Sequence, residues 1–138
     1  MFLVDTNVVS ASAPARREHA GLSAWMDRNS TKLFVSAVTI AEIEDGIAKA
    51  ARQGARSKAR ALAAWLETVL HLYHDKVLPL DTAVARDCGR MSDRARAAGQ
   101  NPGFADLIIA ATAAHHSLTL LTRNVRHFAI LGVPFADP

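Results

Sequence analysis

The sequence predicts an α/β fold, a mostly parallel sheet of four or five strands covered by helices on both faces, and three observations carry that prediction. Short apolar runs at Phe2-Leu3-Val4, Lys32-Leu33-Phe34-Val35 and Leu118 to Leu121 have the length and composition of buried strands. They alternate with longer stretches whose apolar residues recur every three or four positions, the period of an amphipathic helix. No two-residue hairpin signal separates the strand candidates, so the connections are helical crossovers between parallel strands.

In chain order, Phe2-Leu3-Val4 forms the first strand, and a helix begins near Thr6. A loop at Pro14 leads into a helix over about 16–28, where Leu22, Trp25 and Met26 supply the apolar stripe and Asn29-Ser30 the stop. The second strand is followed by a helix over 36–51 with Ile40, Ile43 and Ile47 on one face, ended by Gly54. Ser57 can cap the next helix, which carries the clearest periodicity in the chain: Leu62, Trp65, Leu66, Val69, Leu70 and Tyr73. That stripe is core packing or, as an alternative, a partner face. A third strand over 76–80 precedes Asp81 as N-cap of a helix over 82–97, which buries Val84, Cys88 and Met91. The composition of 98–103 is that of a loop, 104–116 is a largely apolar helix, and 118–121 the fourth strand. A last helix over 124–131 and a terminal edge strand, Val133-Pro134-Phe135, complete the chain.

The 138 residues, half of them apolar, suit a single domain over 1–138 with a proper core; two domains would not fit. The net charge of +3 comes from many arginines and leans toward polyanionic partners. Cys88 is the sole cysteine, which excludes an intrachain disulfide and a cysteine-based zinc site and fits a reducing cytoplasm. Neither a signal peptide nor a membrane span is expected, since the longest apolar run, Leu107 to Ala114, is far short of the roughly 20 residues a span requires.

Three acids carry the chemistry. Asp5 ends the first strand, where an ionised carboxylate beside an apolar core needs a compensating partner: a helix N-terminus, which it would cap, or a metal ion. Glu42 lies in the first turns of the helix after the second strand; Thr39-Ile-Ala-Glu42 also has capping-box spacing, so a bond back to the Thr39 amide is the competing role. Gly46, one turn on, suggests that something approaches closely there. Asp106 opens an apolar helix, where it either answers the helix macrodipole or points into a site. Ligands in open parallel sheets gather outside the carboxyl ends of the strands, where all three acids map if the helix of Asp106 starts at that edge. Three carboxylates from separate elements form an open oxygen cage of the kind that Mg²⁺ or Mn²⁺ accepts, and a water activated there would hydrolyse a phosphodiester.

The stretches Leu-Val-Asp5-Thr-Asn-Val, Ser36-Ala-Val-Thr-Ile-Ala-Glu42, Ala105-Asp106-Leu-Ile-Ile-Ala-Ala-Thr-Ala and Leu118-Thr-Leu-Leu-Thr-Arg-Asn124-Val-Arg-His-Phe resemble, in order and spacing, the motifs of PIN-domain nucleases, most nearly the VapC toxins of bacterial toxin–antitoxin pairs. The resemblance runs from Met1 to the final strand. It implies a PIN-like three-layer α/β/α sandwich, Mg²⁺- or Mn²⁺-dependent endoribonuclease activity, a homodimer, and inhibition by a small cognate VapB-type antitoxin. By the same resemblance Asp5, Glu42 and Asp106 match the acidic metal ligands, Glu42 directly or through a water, and Thr6 the hydroxyl residue beside them; Asn7 and Thr122 in the same motifs are supporting residues. Many relatives place a fourth acid at the position of Asn124 or of His127. Asn124 can offer a carbonyl oxygen to the metal, or cap the last helix instead.

Arg123, after the fourth strand, is a candidate RNA phosphate contact, whereas Arg86, Arg90 and Arg94 on one helix face are diluted by Asp87 and Asp93 and suit a solvated surface. The pairs His71/His74 and His115/His116 have no acid at a metal-binding spacing and are expected at the surface. Two other functions compete: an aspartate-nucleophile phosphatase built on Asp5, which wants a second acid where this chain has Asn7, and a non-catalytic RNA-binding or regulatory domain with a degenerate site.

Overall fold

The computed structural model describes residues 1–14 and 19–138. Five strands, β1 (Phe2–Val4), β2 (Leu33–Ser36), β3 (Val77–Leu78), β4 (Thr119–Leu121) and β5 (Phe135–Ala136), pair in the order β3-β2-β1-β4-β5, every neighbour parallel. Seven α-helices connect them among the described residues: α1 (Thr6–Ala11), α2 (Ala20–Arg28), α3 (Ala37–Arg52), α4 (Arg56–Leu72), α5 (Thr82–Ala97), α6 (Phe104–His115) and α7 (Val125–Ala129).

Side chains alternate across a strand, and here the alternation sorts them into two cores. Val4, Leu33, Val35 and Leu121 face one side, packed with Val8 and Val9 of α1, Met26 of α2, Ile43 of α3, and Leu66 and Val69 of α4. Leu3 and Leu120 face the other, with Val84, Cys88 and Met91 of α5, the apolar run of α6 and Phe128 of α7. The result is the three-layer α/β/α arrangement expected. The Trp65 helix serves as core packing through Leu66, Val69 and the following Tyr73, all buried.

Several boundaries differ from the expected ones for local reasons. The predicted third strand over 76–80 contracts to Val77–Leu78, because Pro79 has no amide to continue the ladder. The final strand moves to Phe135–Ala136; the carbonyl of Pro134 accepts the Leu120 amide at 2.8 Å, and Val133 is buried in the core instead. Ser57 does not cap α4, whose cap position is Ala55, two residues earlier, without a side-chain cap. Helix α7 stops at Ala129, after which Gly132 takes φ +70°, a conformation side chains resist. Helix α2 begins at Ala20, and the predicted start over 16–18 lies outside the described residues. Asp81, by contrast, caps α5 as expected, its carboxylate accepting the Val84 amide at 2.9 Å.

Parallel pairing brings all five carboxyl ends to one edge. Asp5 follows β1, Ser36 ends β2 and caps α3 by accepting the Val38 amide, and Thr122 follows β4. Helix α6 leads into β4, which begins at the opposite edge, so the N-terminus of α6 and with it Asp106 face the edge where Asp5 stands. The position of α7, which carries the loop after β4, depends on Phe128, whose ring is fully buried. Phe128→Ala is expected to cost about 3–5 kcal/mol in urea unfolding; a loss below about 1 kcal/mol would show that α7 is not anchored through this ring.

Candidate active site

Asp5 is held through its backbone and through both side-chain oxygens. Its amide still belongs to the sheet, donating to the Leu121 carbonyl at 2.9 Å, so the side chain emerges between the ends of β1 and β4. One carboxylate oxygen accepts the Thr6 amide at 2.7 Å and the other the Thr122 hydroxyl at 2.8 Å. The helix-capping role is therefore real, and it uses only half of the carboxylate. Asp5 is 4% exposed, and Thr122 is fully buried. Burial pushes the Asp5 carboxyl up to about 6, against the opposing hydrogen bonds of Thr122 and Thr6, and the nearby charges of Asp106 and Glu42 push in the same upward direction.

Glu42 does not close the capping box. Its carboxylate accepts the Thr6 hydroxyl at 2.6 Å, and Ser36, not Thr39, caps α3. The Thr6 and Thr39 hydroxyls are 3.0 Å apart. Since the one Thr6 proton goes to Glu42, Thr39 donates between the two hydroxyls, and Thr6 is clamped from both sides. Thr39 is fully buried one turn before Glu42 and was not among the predicted site residues. Its signal was available: a threonine three positions before an acid on the same helix face. Gly46 does not mark a close approach, for a Cβ there would meet nothing within 4 Å; the residue lines a groove that also holds Glu42.

Asp106 sits in the first turn of α6 and accepts or shares a proton with the imidazole of His127, Oδ2 to Nδ1 2.9 Å. This contact spans 21 residues and was not expected. Asn124 uses its backbone here, its amide donating to the Thr122 hydroxyl at 2.9 Å; its side chain makes no helix cap, contrary to the alternative read from the sequence. Asn7 accepts the Arg123 amide through its side chain at a long 3.4 Å, drawing the loop after β4 toward α1. The exposed Arg123 guanidinium lies 3.2 Å from the His19 ring.

Asp5, Glu42 and Asp106 thus share one edge and one electrostatic neighbourhood. Each is held by protein donors, Asp5 by Thr6 and Thr122, Glu42 by Thr6, and Asp106 by His127. Among the described residues no three His, Cys, Asp or Glu side chains stand close enough to form a ready-made cage for an ion, and no lysine or arginine pairs with any of the three acids. The donor chemistry suits a hard divalent cation: oxygen ligands from three carboxylates, one of them raised chiefly by its burial and further by the charges of the other two.

The other candidates lie elsewhere. His115 bonds Asp87 at 3.0 Å on the outer face of α5 and α6, so an acid does stand beside it; Arg90 bonds the same carboxylate at 2.6 Å, and the two partners hold Asp87 below the usual carboxylate range. His115 and His116 meet edge to face, and His74 lies 3.9 Å from Asp75. These are surface contacts.

Five parallel strands with acids gathered at their carboxyl edge define the class of protein. The family model of the PIN domain matches residues 2–132, and the chain belongs to that family. Over the full chain it is 34% identical to toxin FitB of Neisseria gonorrhoeae, covering 98% of that protein, and 33% identical to VapC ribonuclease Y4jK of Sinorhizobium fredii, covering 97%. Among solved structures, FitAcB from Neisseria gonorrhoeae superposes with a TM-score of 0.85 at 34% identity, covering all of this chain and 98% of the other. DNA-bound VapBC from Salmonella typhimurium superposes at 0.81 with 26% identity, covering 99% and 96%.

The raised Asp5 carboxyl makes a testable demand on stability. In metal-free buffer its ionisation costs more in the folded chain than in the unfolded one, where the pKa is near 3.8. The sign follows: stability from this group is full below pH 3.8 and is lost as pH rises through about 6, amounting to about 3 kcal/mol. Asn at position 5 can still accept the Thr6 amide. Asp5→Asn is therefore expected to gain stability relative to the parent as pH rises from 4.5 to about 7.5. Urea titrations at several pH values in EDTA check this, and a difference independent of pH would contradict it.

Proposed function

We propose that the chain is the toxin of a bacterial toxin–antitoxin pair, an endoribonuclease that hydrolyses RNA phosphodiester bonds with Mg²⁺ or Mn²⁺. The observation that carries this reading is a buried Asp5 at the carboxyl edge of the sheet that feels the charges of both Asp106 and Glu42. Its support from relatives is the similarity to FitB and to VapC ribonuclease Y4jK along the whole chain. Residues 1–138 act as one nuclease domain in this reading.

Asp5 and Asp106 would hold the ion directly, and Glu42 directly or through a water. A divalent ion supplies an activated water and charge neutralisation at phosphorus. The chain's own residues do the rest. Thr122 and the Thr6 amide keep both Asp5 oxygens aimed at the edge, and Thr6, clamped by Thr39, keeps Glu42 beside it. Asn7 holds the loop that presents Arg123, whose exposed guanidinium suits an RNA phosphate. Asn124, whose side-chain oxygen has no protein partner among the described residues, stands as a further oxygen donor.

The partners that follow are an RNA substrate, a cognate VapB-type antitoxin and a second copy of the chain, in the cytoplasm. The antitoxin assignment draws on the neighbouring structures, which are of FitAcB and VapBC. No described helix is long and apolar enough to cross a membrane. An aspartate-nucleophile phosphatase fits less well, because it wants a second acid two residues after Asp5, where this chain has Asn7.

With a fluorescent RNA and Mn²⁺, cleavage is expected to stop in EDTA and to fall by at least about 100-fold in Asp5→Ala. Cleavage that persists in chelator would contradict the mechanism. Turnover of a phosphomonoester instead would favour the phosphatase, and RNA binding without cleavage the non-catalytic domain.

A further inference from the structure

The His127–Asp106 contact is of ordinary hydrogen-bond length, and it sets an imidazole nitrogen beside a carboxylate oxygen at the acidic edge. Asp106 is the one hydrogen-bond partner of the His127 ring among the described residues, at 2.9 Å, and the ring is 58% exposed against 24% for the acid. The backbone delivers the ring from two anchored points. On one side the Thr122 hydroxyl, bonded to Asp5, accepts the Asn124 amide, and the Asn124 carbonyl accepts the His127 amide at 3.1 Å. On the other side the next residue, Phe128, is locked in the core. His127 is thereby tied to both ends of the acidic edge, through backbone to Asp5 and through its ring to Asp106.

Adjacent ligands in an octahedral shell with bonds of about 2.1 Å stand about 3.0 Å apart. The Oδ2 to Nδ1 separation matches that edge, so both atoms can join one shell at their present spacing once the ring turns its Nδ1 lone pair off the N···O line toward the ion. A cavity of about 340 Å³, lined by Asn101, Gly103, Asp106, Arg126 and His127 among others, opens on the pair and leaves room for the waters of such an ion. A nitrogen ligand also changes which ion the site prefers. Mg²⁺ favours oxygen donors and dehydrates reluctantly, whereas later first-row ions such as Co²⁺ accept imidazole readily.

We propose that His127 is a nitrogen ligand of the metal site and biases it toward first-row transition ions over Mg²⁺. The inference rests on the metal reading of the three acids and goes beyond it in naming a non-carboxylate ligand. His127 carries its proton on Nε2 in the bound form, with Nδ1 facing the ion beside Asp106.

The test uses the full chain freed of metal with chelator, with Co²⁺ and Mg²⁺ as probes. Calorimetry gives both affinities, and proton NMR of the Co²⁺ form reads hyperfine-shifted imidazole N–H signals. In His127→Ala, Co²⁺ affinity is expected to fall at least about tenfold while Mg²⁺ affinity changes less than about twofold. One shifted N–H signal is expected to vanish. His127→Asp, which restores an all-oxygen set, is expected to bind Mg²⁺ more tightly and to narrow the preference for Co²⁺. Equal changes for both ions in His127→Ala, or persistence of every shifted signal, would overturn the inference while leaving the acids as ligands. If the parent bound neither ion, or Asp5→Ala left Co²⁺ affinity unchanged, the metal reading itself would fall and take this inference with it.

Discussion

The buried carboxylate of Asp5 is the constraint on which the rest of the site depends. A charged group that is 4% exposed has lost most of its hydration, and the protein returns only two neutral donors, the Thr122 hydroxyl and the Thr6 amide. Two further acids nearby add repulsion rather than relief. Such an arrangement is unfavourable for folding taken alone. It becomes intelligible when the edge is regarded as a place for positive charge from outside the chain, since an ion would offset the repulsion among the acids and the cost of burying the Asp5 charge.

The fold supplies the convergence without needing the acids to attract one another. Parallel strands put the ends of β1, β2 and β4 at one edge, and a crossover helix feeding the next strand must start there. Asp5, the early turns of α3 and the first turn of α6 are therefore brought together by topology and by the two apolar cores. Threonines then set the fine geometry. Thr6, Thr39 and Thr122 are small, need few rotamers and can donate and accept at once, which suits residues that hold one buried carboxylate, Asp5, and one exposed one, Glu42, at the rim of a packed interior.

Much of this was legible in the sequence. The α/β class and the course of α3, α5 and α6 followed from period and capping, and position along the chain put Asp5, Glu42 and Asp106 at the edge where the structure has them. Boundaries at the edge strands did not, because β3 and β5 are two residues each and a proline beside each decides where the ladder ends. The role of Glu42 was ambiguous for a definite reason: Thr39 and Glu42 have the spacing of a capping box, and the placement of Ser36, three residues earlier, as the cap, with the Thr6 hydroxyl on Glu42, shows that the pair is used otherwise. His127 was visible as a departure from the acid expected near it, yet its contact with Asp106 joins elements 21 residues apart across α7 and α6, and pattern within a segment cannot show that. The same holds for His115 and Asp87.

Direct observation of an ion would decide the matter. Crystals of the chain equilibrated with Mn²⁺ and measured at the manganese absorption edge should show an anomalous peak within about 2.5 Å of carboxylate oxygens from both Asp5 and Asp106. A peak confined to the outer surface, for instance at His115 and Asp87, with none at the sheet edge under saturating Mn²⁺, would contradict the account.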